Sequence, residues 1–299
     1  MRTHLIHEHI PDRYTIHDLL RAYACELAGE AGREAEADAA TVRMFAHYVH
    51  TSHLAARLLN AGRSPLALPD PPAGMLRTDL HDSTDANRWF EAEHPVLLAA
   101  VQQAVTAAGH RAAAWPLVWS VTDFLDFRGR WLEMLTALST AARGGDPARM
   151  PQIETAIGRV YLRLDRLPEA GEHARRAAGL AAENGDPVDQ ARAELQYGNV
   201  LERQGRIREA LGRAEIALDL HQGTDSRMEA HALNSVGWYH AQLGEFEAAL
   251  AYCEHANTRT PSSSPSTIRR ARHPRGTVSA SSTADAVTAH EQSSAIAMP

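Results

Sequence analysis

Residues 157–161, Ile-Gly-Arg-Val-Tyr, recur as Tyr-Gly-Asn-Val-Leu at 197–201 and as Val-Gly-Trp-Tyr-His at 236–240. The glycines of the three stretches are spaced by 40 and 39 residues. A turn residue follows seven positions after each glycine, and alanines follow at matched offsets: Asp165, Gly205 and Gly244, then Ala170, Ala210 and Ala249, then Ala177, Ala217 and Ala256. Self-similarity at a period of about 20 to 50 residues predicts stacked copies of one helical hairpin.

This pattern resembles the tetratricopeptide repeat, in which small residues let two antiparallel helices approach closely and successive hairpins stack into a right-handed solenoid. The period is longer than the usual value of about 34, and the large aromatic residue expected late in each repeat is replaced by Ala174, Ala214 and Cys253. A degenerate earlier copy fits Val118, Leu125, Gly129, Met134 and Ala141. An alanine-rich bundle without repeats is the alternative, and the three aligned copies argue against it. We therefore predict an all-α tetratricopeptide-repeat solenoid over residues 111–257.

The N-terminal segment, residues 1–33, changes its hydrophobic period midway. A strand-like alternation at Tyr14 and Ile16 gives way to helical spacing at Leu19, Leu20, Tyr23 and Leu27. Together with the Pro11-Asp12 turn, this predicts a short β-hairpin that leads into a helix with Asp18 as its N-cap. A hairpin beside a helix is typical of the wing of a winged helix, so we interpret residues 1–33 as a winged-helix remnant.

Residues 34–110 are predicted to be a helical connector with a proline-rich loop. Apolar residues at helical spacing predict a helix over residues 38–60. An irregular stretch to about residue 84 follows, marked by Pro65, Pro69, Pro71, Pro72 and Gly74. A further helical stretch begins at Trp89, and we expect Pro95 to break it into two helices.

The last part of the chain, residues 258–299, is rich in Ser, Thr, Pro and Ala and carries five Arg against Asp285 and Glu291. Such a composition cannot bury enough apolar surface to offset chain entropy, so we predict a disordered tail. The whole chain has a net charge of −7, and its first 257 residues therefore carry −10. This negative charge over residues 1–257 disfavours binding to the phosphate backbone of a nucleic acid.

Two segments outside the repeats carry a more specific resemblance. Arg13-Tyr14-x-x-His17-Asp18-Leu19-Leu20-Arg21-x-Tyr23-Ala24 is similar to the end of the winged helix that closes an NB-ARC NTPase module. Trp89-Phe90-x-Ala92-Glu93-x-Pro95-x-Leu97-x-Ala99-Ala100 is similar to the connector that follows it, although the family often has Arg-Pro-Asn where this chain has His94-Pro95-Val96. With the repeats, they resemble actinobacterial transcriptional regulators of the AfsR/SARP type. The resemblance covers residues 1–257 and implies the C-terminal part of such a regulator, without its nucleotide-binding and DNA-binding regions.

The composition excludes several catalytic mechanisms. All 30 basic residues are arginine, so a Gly-Lys-Ser/Thr phosphate loop, a kinase-type lysine and a Schiff-base lysine are all missing. Cys25 and Cys253 have no second cysteine nearby, which fits a reducing cytosol. The sequence has no signal-peptide core and no apolar run of ~18 residues. We predict a cytoplasmic protein that is not an enzyme and has no cofactor.

Histidines are numerous, and His47-x-x-His50-x-x-His53 with His4, His7 and His9 is the set that resembles metal ligands. On a helix the first three positions spread over roughly 120° of surface. No His-Glu-x-x-His pattern accompanies them, so we expect solvated or capping histidines and no metal site.

The inner groove of a tetratricopeptide array is lined by the first helix of each hairpin, at positions roughly 2, 5, 9, 12 and 13 when the glycine occupies position 8. This register selects as candidate groove residues Arg159, Arg163, Arg192, Asn199, Arg203, Asn234 and Trp238. Arginine and asparagine can grip a carboxylate or backbone amides, and tryptophan offers an apolar platform. The alternative is that a solvated helix face in a lysine-free chain carries arginine in any case.

The predicted function is therefore an interaction and sensing module of a transcriptional regulator, whose repeats bind a protein, a peptide or a small ligand. One alternative is direct nucleic-acid binding through the winged-helix remnant, with Arg2, Arg13 and Arg21 as phosphate contacts. Another is a nonfunctional gene fragment, since the repeat pattern stops at Asn257 within a helix.

The repeat pattern also predicts an open end of the solenoid. Natural arrays finish with a polar capping helix, whereas here we expect partial exposure of Leu243, Phe246, Leu250 and Cys253. An exposed apolar patch favours association, so we predict self-association through the uncapped C-terminal repeat.

Overall fold

The computed structural model describes residues 6–10, 13–30, 32–63, 65–107, 109–221 and 226–259. Within these ranges the chain forms eleven α-helices and one two-stranded antiparallel sheet. The helices divide into two compact units, with the boundary between Arg128 and Gly129. The tail predicted to be disordered lies, after Arg259, outside the described residues.

The first unit contains the predicted hairpin and four helices. Their bounds are β1 Ile6–Ile10, β2 Arg13–Ile16, α1 Asp18–Ala28, α2 Glu34–Leu59, α3 Ser83–Thr106 and α4 Ala114–Phe127, with a 3₁₀ turn at Arg111–Ala113 before α4. Ile6 pairs with Ile16 across the antiparallel strands. Residues 60–63 and 65–82 between α2 and α3 form the predicted irregular loop.

The predicted N-cap of α1 is wrong by one residue. His17 is the cap, because its Nδ1 accepts a hydrogen bond from the backbone N–H of Leu19 at 3.3 Å. Asp18 is the first residue of the helix and pairs instead with Arg21 at 3.0 Å.

The predicted break at Pro95 is also wrong, because α3 runs without interruption from Ser83 to Thr106. Proline in a helix interior loses one backbone hydrogen bond and usually kinks the helix. Here residues on both sides of Pro95 are buried among α2 and α4, including Phe90 and Leu97. The Phe90 ring stacks on Phe124 of α4 at 5.2 Å between centroids. This packing on both sides of Pro95 keeps α3 continuous.

The second unit is a stack of helical hairpins, so the predicted α-solenoid is confirmed. Its helices are α5 Trp131–Arg143, α6 Met150–Arg163, α7 Leu167–Glu183, α8 Pro187–Arg203, α9 Ile207–His221, α10 Ser226–Gln242 and α11 Phe246–Arg259. The three clear repeats are the hairpins α6–α7, α8–α9 and α10–α11, and each second helix also packs on the first helix of the next repeat. The degenerate copy falls on α4 and α5, on either side of the unit boundary.

The repeated glycines mark the closest approach of the two helices in each hairpin. A Cβ built on each glycine would meet the carbonyl oxygen of the alanine twelve residues later, at 3.2 Å for Gly158 and Ala170, 3.4 Å for Gly198 and Ala210, and 3.1 Å for Gly237 and Ala249. Real Cβ atoms rarely come within 3.4 Å of such a neighbour. Each of the three alanines is buried. The pattern Gly-x₁₁-Ala therefore records a close helix–helix contact, in which a Cβ at Gly158 or Gly237 would require the facing backbone to shift by a few tenths of an ångström.

The predicted turn residues have the backbone conformation that a sharp helix–helix turn requires. The φ angles are +61° at Asp165, +75° at Gly205 and +80° at Gly244. Glycine adopts this left-handed region without steric cost, and Asp tolerates it better than most residues. The turn prediction made from the sequence is confirmed.

Two repeats contain a buried acidic residue that pairs with the second helix of its own hairpin. His173 Nδ1 lies 2.5 Å from Glu154 Oε2, and Arg213 Nη1 lies 3.4 Å from Glu194 Oε2. Burial raises the pKa of Glu194, and the nearby Arg213 opposes this effect. The third repeat has Leu233 and Tyr252 at the corresponding positions, so it lacks both charged groups of this pair.

The predicted open end is partly confirmed and partly wrong. Phe246 and Leu250 are 56% and 47% exposed, and Leu243 is half-buried. Cys253, in contrast, is buried, because its Sγ lies against Gly237, 3.0 Å from where a Cβ would be. The exposed apolar surface is thus confined to the outer face of α11.

Replacement of Gly237 by alanine tests the helix–helix contact. We expect Gly237→Ala to lower the free energy of unfolding by about 1–2 kcal/mol, since the new methyl group overpacks against Ala249 and Cys253. Gly179→Ala is the matched control, because Gly179 lies within α7 with no atom near its Cβ position. The control should raise the free energy of unfolding by about 0.5–1 kcal/mol through helix propensity. Urea unfolding followed by circular dichroism measures both, and equal stabilisation by the two substitutions would contradict the contact.

Candidate functional site

The candidate site is the groove formed by α6, α8 and α10, the first helices of the three hairpins. The position-8 glycines of these helices face the second helices. Residues further around each first helix form side-chain hydrogen bonds to the first helix of the next repeat, and these bonds connect the three helices across the groove.

The second and third repeats are joined by two side chains that bind the Glu202 carboxylate and by a separate hydrogen bond between Tyr239 and Asn199. Trp238 Nε1 donates to Glu202 Oε1 at 2.8 Å, and Gln242 Nε2 donates to the same oxygen at 3.0 Å. The Tyr239 hydroxyl donates to Asn199 Oδ1 at 3.4 Å. Burial, and secondarily the charge of Glu202, raises the pKa of Tyr239, which keeps its phenol protonated as a donor. Trp238 and Asn199, two predicted groove residues, are thereby fixed by contacts between repeats.

The first and second repeats are joined by acidic residues that pair with predicted arginines. Gln152 Nε2 donates to Asp189 Oδ2 at 2.6 Å, and Asp189 also forms an ion pair with Arg192 on its own helix. Arg203 Nη2 lies 2.6 Å from Asp165 Oδ1 in the turn of the first repeat. The charges of Arg192 and Arg203 are therefore compensated within the protein.

Arg159 is in a different situation from these two arginines. Its side chain is half-buried, and its Nε is buried without a hydrogen-bond partner among the described residues. A buried donor left without an acceptor costs about 1–3 kcal/mol. Of the other predicted residues, Arg163 is exposed at the end of the same helix and Asn234 is half-buried on α10.

The groove thus changes in chemistry along its length. The first repeat contributes Arg159 and Arg163, the second contributes the Asn199 amide, and the third contributes the indole of Trp238. Guanidinium and amide groups can bind carboxylates and peptide groups, while an indole supplies apolar contact area. Such a surface suits an extended ligand with hydrogen-bond acceptors at one end and an apolar group at the other.

Several groove residues were missing from the predicted set. The register that selected Arg159 and Trp238 also selects Gln152, Glu202 and Gln242, at positions 2, 12 and 13 of their repeats. Their signal was available, because positions 2, 12 and 13 all belong to the register that was used. Asp165 was assigned only to a turn, and Asp189 lies before the first position of its repeat, so neither ion pair follows from the register.

The histidine set does not form a metal centre in the part of the chain that the structure describes. No three His, Cys, Asp or Glu side chains converge there. His47 and His53 instead contact the backbone of the loop after α2. Among the same residues, no helix combines the length and apolar character needed to cross a membrane.

Comparison with known proteins agrees with this fold. Residues 189–256 match the family model described as "Tetratricopeptide repeat". Among solved structures, aspartyl phosphate phosphatase F from Bacillus subtilis matches with a TM-score of 0.50 at 14% identity, covering 60% of this chain and 46% of that one. MamA matches with a TM-score of 0.44 at 17% identity, covering 60% and 96% of the two chains.

A further similar structure is YrrB, described as a TPR protein with an unusual peptide-binding site. It matches with a TM-score of 0.40 at 19% identity, covering 59% of this chain and 84% of that one. No curated protein sequence matches the chain. Residues 189–256 therefore carry the tetratricopeptide repeat, and the phosphatase shares its helical fold.

Proposed function

We propose that the chain is a non-catalytic, cytoplasmic interaction and sensing module whose repeats bind a protein, peptide or small ligand in the groove. The observation that carries this proposal is Arg159, whose buried Nε has no acceptor among the described residues. The other well-placed groove arginines, Arg192 and Arg203, are neutralised by Asp189 and Asp165. A carboxylate or peptide carbonyl from a ligand would bind the accessible part of the half-buried Arg159 side chain.

The proposed ligand lies along the three first helices. Its acceptor group meets Arg159 and Arg163 in the first repeat, and its apolar group meets Trp238 in the third. Asn199, whose oxygen is occupied by the Tyr239 hydroxyl, has amide hydrogens to donate between these two points. The predicted candidate residues thus take three separate roles along one binding path.

The proposed context is a transcriptional regulator of the AfsR/SARP type. The support is the resemblance of the segments beginning at Arg13 and Trp89 to the end of an NB-ARC module and its connector. We assign residues 1–33 to a winged-helix remnant, 34–110 to the connector and 111–257 to the repeats. Apolar side chains of the remnant are exposed, as expected for a segment that packs on another domain: Tyr14, Ile16, Leu19 and Tyr23. Ligand binding in the groove would restrain or release that neighbouring domain.

Removal of the Arg159 side chain tests the groove. We expect peptides selected by the full chain from a random phage-displayed library to bind Arg159→Ala about tenfold more weakly, because a central anchor of an interface contributes on the order of 1–2 kcal/mol. Fluorescence anisotropy with labelled peptides measures the dissociation constants.

Arg208→Ala is the matched control, since Arg208 is an exposed arginine on α9, a second helix. It should leave the affinity unchanged, and circular dichroism should show both variants folded. Equal affinity for wild type and Arg159→Ala, or equal losses in the two variants, would contradict the proposed site.

We also propose self-association through α11, whose exposed Phe246 and Leu250 lie one helical turn apart. Replacement of both residues by glutamate should lower the molar mass measured by light scattering after size exclusion, because two charges cannot be buried in an apolar contact. Leu132→Glu is the control, as Leu132 is another exposed leucine, on α5. A wild-type chain that stays monomeric up to its solubility limit would contradict this proposal.

A further inference from the structure

Three histidines on one side of α2 contact the proline-rich loop that follows this helix. The backbone N–H of Leu66 donates to His53 Nε2 at 3.3 Å, and His47 Nδ1 lies 2.9 Å from the carbonyl oxygen of Leu76. Between them, His50 forms a hydrogen bond with the backbone of Pro69. Residues 65–76, here called the strap, therefore run antiparallel to α2 along this histidine row.

The protonation state of each imidazole follows from its backbone partner. An amide N–H can only donate, so His53 Nε2 holds a lone pair and His53 is neutral when the strap is bound. The carbonyl of Leu76 can only accept, and Pro69 has no N–H, so His47 and His50 are donors. A second proton leaves the bonds of His47 and His50 intact. At His53, a second proton turns Nε2 into a donor, which then faces the N–H donor of Leu66.

We propose that the strap is a pH-operated device, which detaches from α2 at Leu66 when His53 takes up a proton. Detachment frees the His53 ring and the Leu66 end of the strap. The other end stays attached through His47 and Leu76, and the segment before the strap is anchored independently.

That anchor is Arg63. Its guanidinium carbon lies 3.7 Å from the ring centroid of Trp119, and Nη1 lies 3.2 Å from Asp123 Oδ2. Arg63 Nη2 donates to Thr122 Oγ1 at 3.3 Å, and Arg57 Nη1 donates to the Arg63 carbonyl at 2.8 Å. None of these contacts involves a histidine. Proton uptake at His53 therefore loosens the chain after Arg63 and leaves Arg63 in place.

The charges around His53 act in the same direction as the hydrogen bond. Burial is the main cause that lowers the pKa of His53, followed by Arg57 and His50 on α2 and then by Arg63. Asp123 of α4 faces Arg63 and is bound by it. Burial and Arg77 lower the pKa of His50, while the bond to Pro69 and the charge of Asp70 oppose them.

The sign of the pH effect follows from these directions. Release of the strap removes part of the burial that lowers the pKa of His53, so this pKa is higher in the released state than in the bound state. The released state therefore binds more protons, and the strap is bound at the higher pH and progressively lost as the pH falls.

Hydrogen exchange of the Leu66 amide in the full chain tests the strap. After correction for intrinsic exchange, we expect its protection factor to fall about tenfold from about pH 7.5 to about pH 5. His53→Gln should remove this dependence, because the glutamine side-chain oxygen can accept from Leu66 and does not titrate in this range. An unchanged protection factor in the wild-type chain would overturn the proposal.

His47→Gln is the matched control, a substitution on the same face of α2 that should keep the full pH dependence of the Leu66 amide. Loss of the dependence in His47→Gln as well as in His53→Gln would assign the effect to the helix as a whole and overturn the role of His53. A direct NMR titration of the His53 ring in the wild-type chain is independent of any variant. A pKa at or above about 6.5 there would also overturn the proposal.

Discussion

The repeats depend on one steric constraint, the contact between a glycine in the first helix of each hairpin and the carbonyl of an alanine in the second. Because Gly158, Gly198 and Gly237 have no Cβ, the two helices approach so closely that a Cβ would lie 3.1 to 3.4 Å from the facing carbonyl oxygen. This contact fixes the rotation of each first helix about its axis. The residues on its other sides are thereby committed to the neighbouring repeat and to the groove.

The constraint explains why the groove is both ordered and incomplete. Side chains of adjacent first helices meet in register, so Trp238 reaches Glu202 and Gln152 reaches Asp189. In these contacts the acidic residues bind most of the polar side chains around them. Arg159 is left with a buried donor that has no acceptor among the described residues. The first repeat therefore differs in its hydrogen bonding from the rest of the groove.

The sequence predicted the parts of this structure that depend on local spacing. The Gly and Ala periods gave the three hairpins, and the left-handed turns at Asp165, Gly205 and Gly244 followed from the same alignment. The break at Pro95 was wrong because tertiary packing of Phe90 and Leu97 outweighs the local preference of proline. The pairs that complete the site join residues 36 to 40 positions apart, and their partners depend on how helices stack, which no local pattern encodes. The sequence analysis expected solvated or capping histidines in this row, because the loop that His47 and His53 contact has no periodicity that would reveal it.

We infer that the helix contact at the glycines aligns the first helices into one continuous surface, which is the proposed binding site. The most direct measurement is a hydrogen-exchange footprint of the full chain with and without a library-selected peptide. We expect slower exchange in α6, α8 and α10, centred on the residues around Arg159, Asn199 and Trp238, with α7, α9 and α11 unchanged. Slower exchange confined to the second helices, or to residues before Arg128, would contradict it.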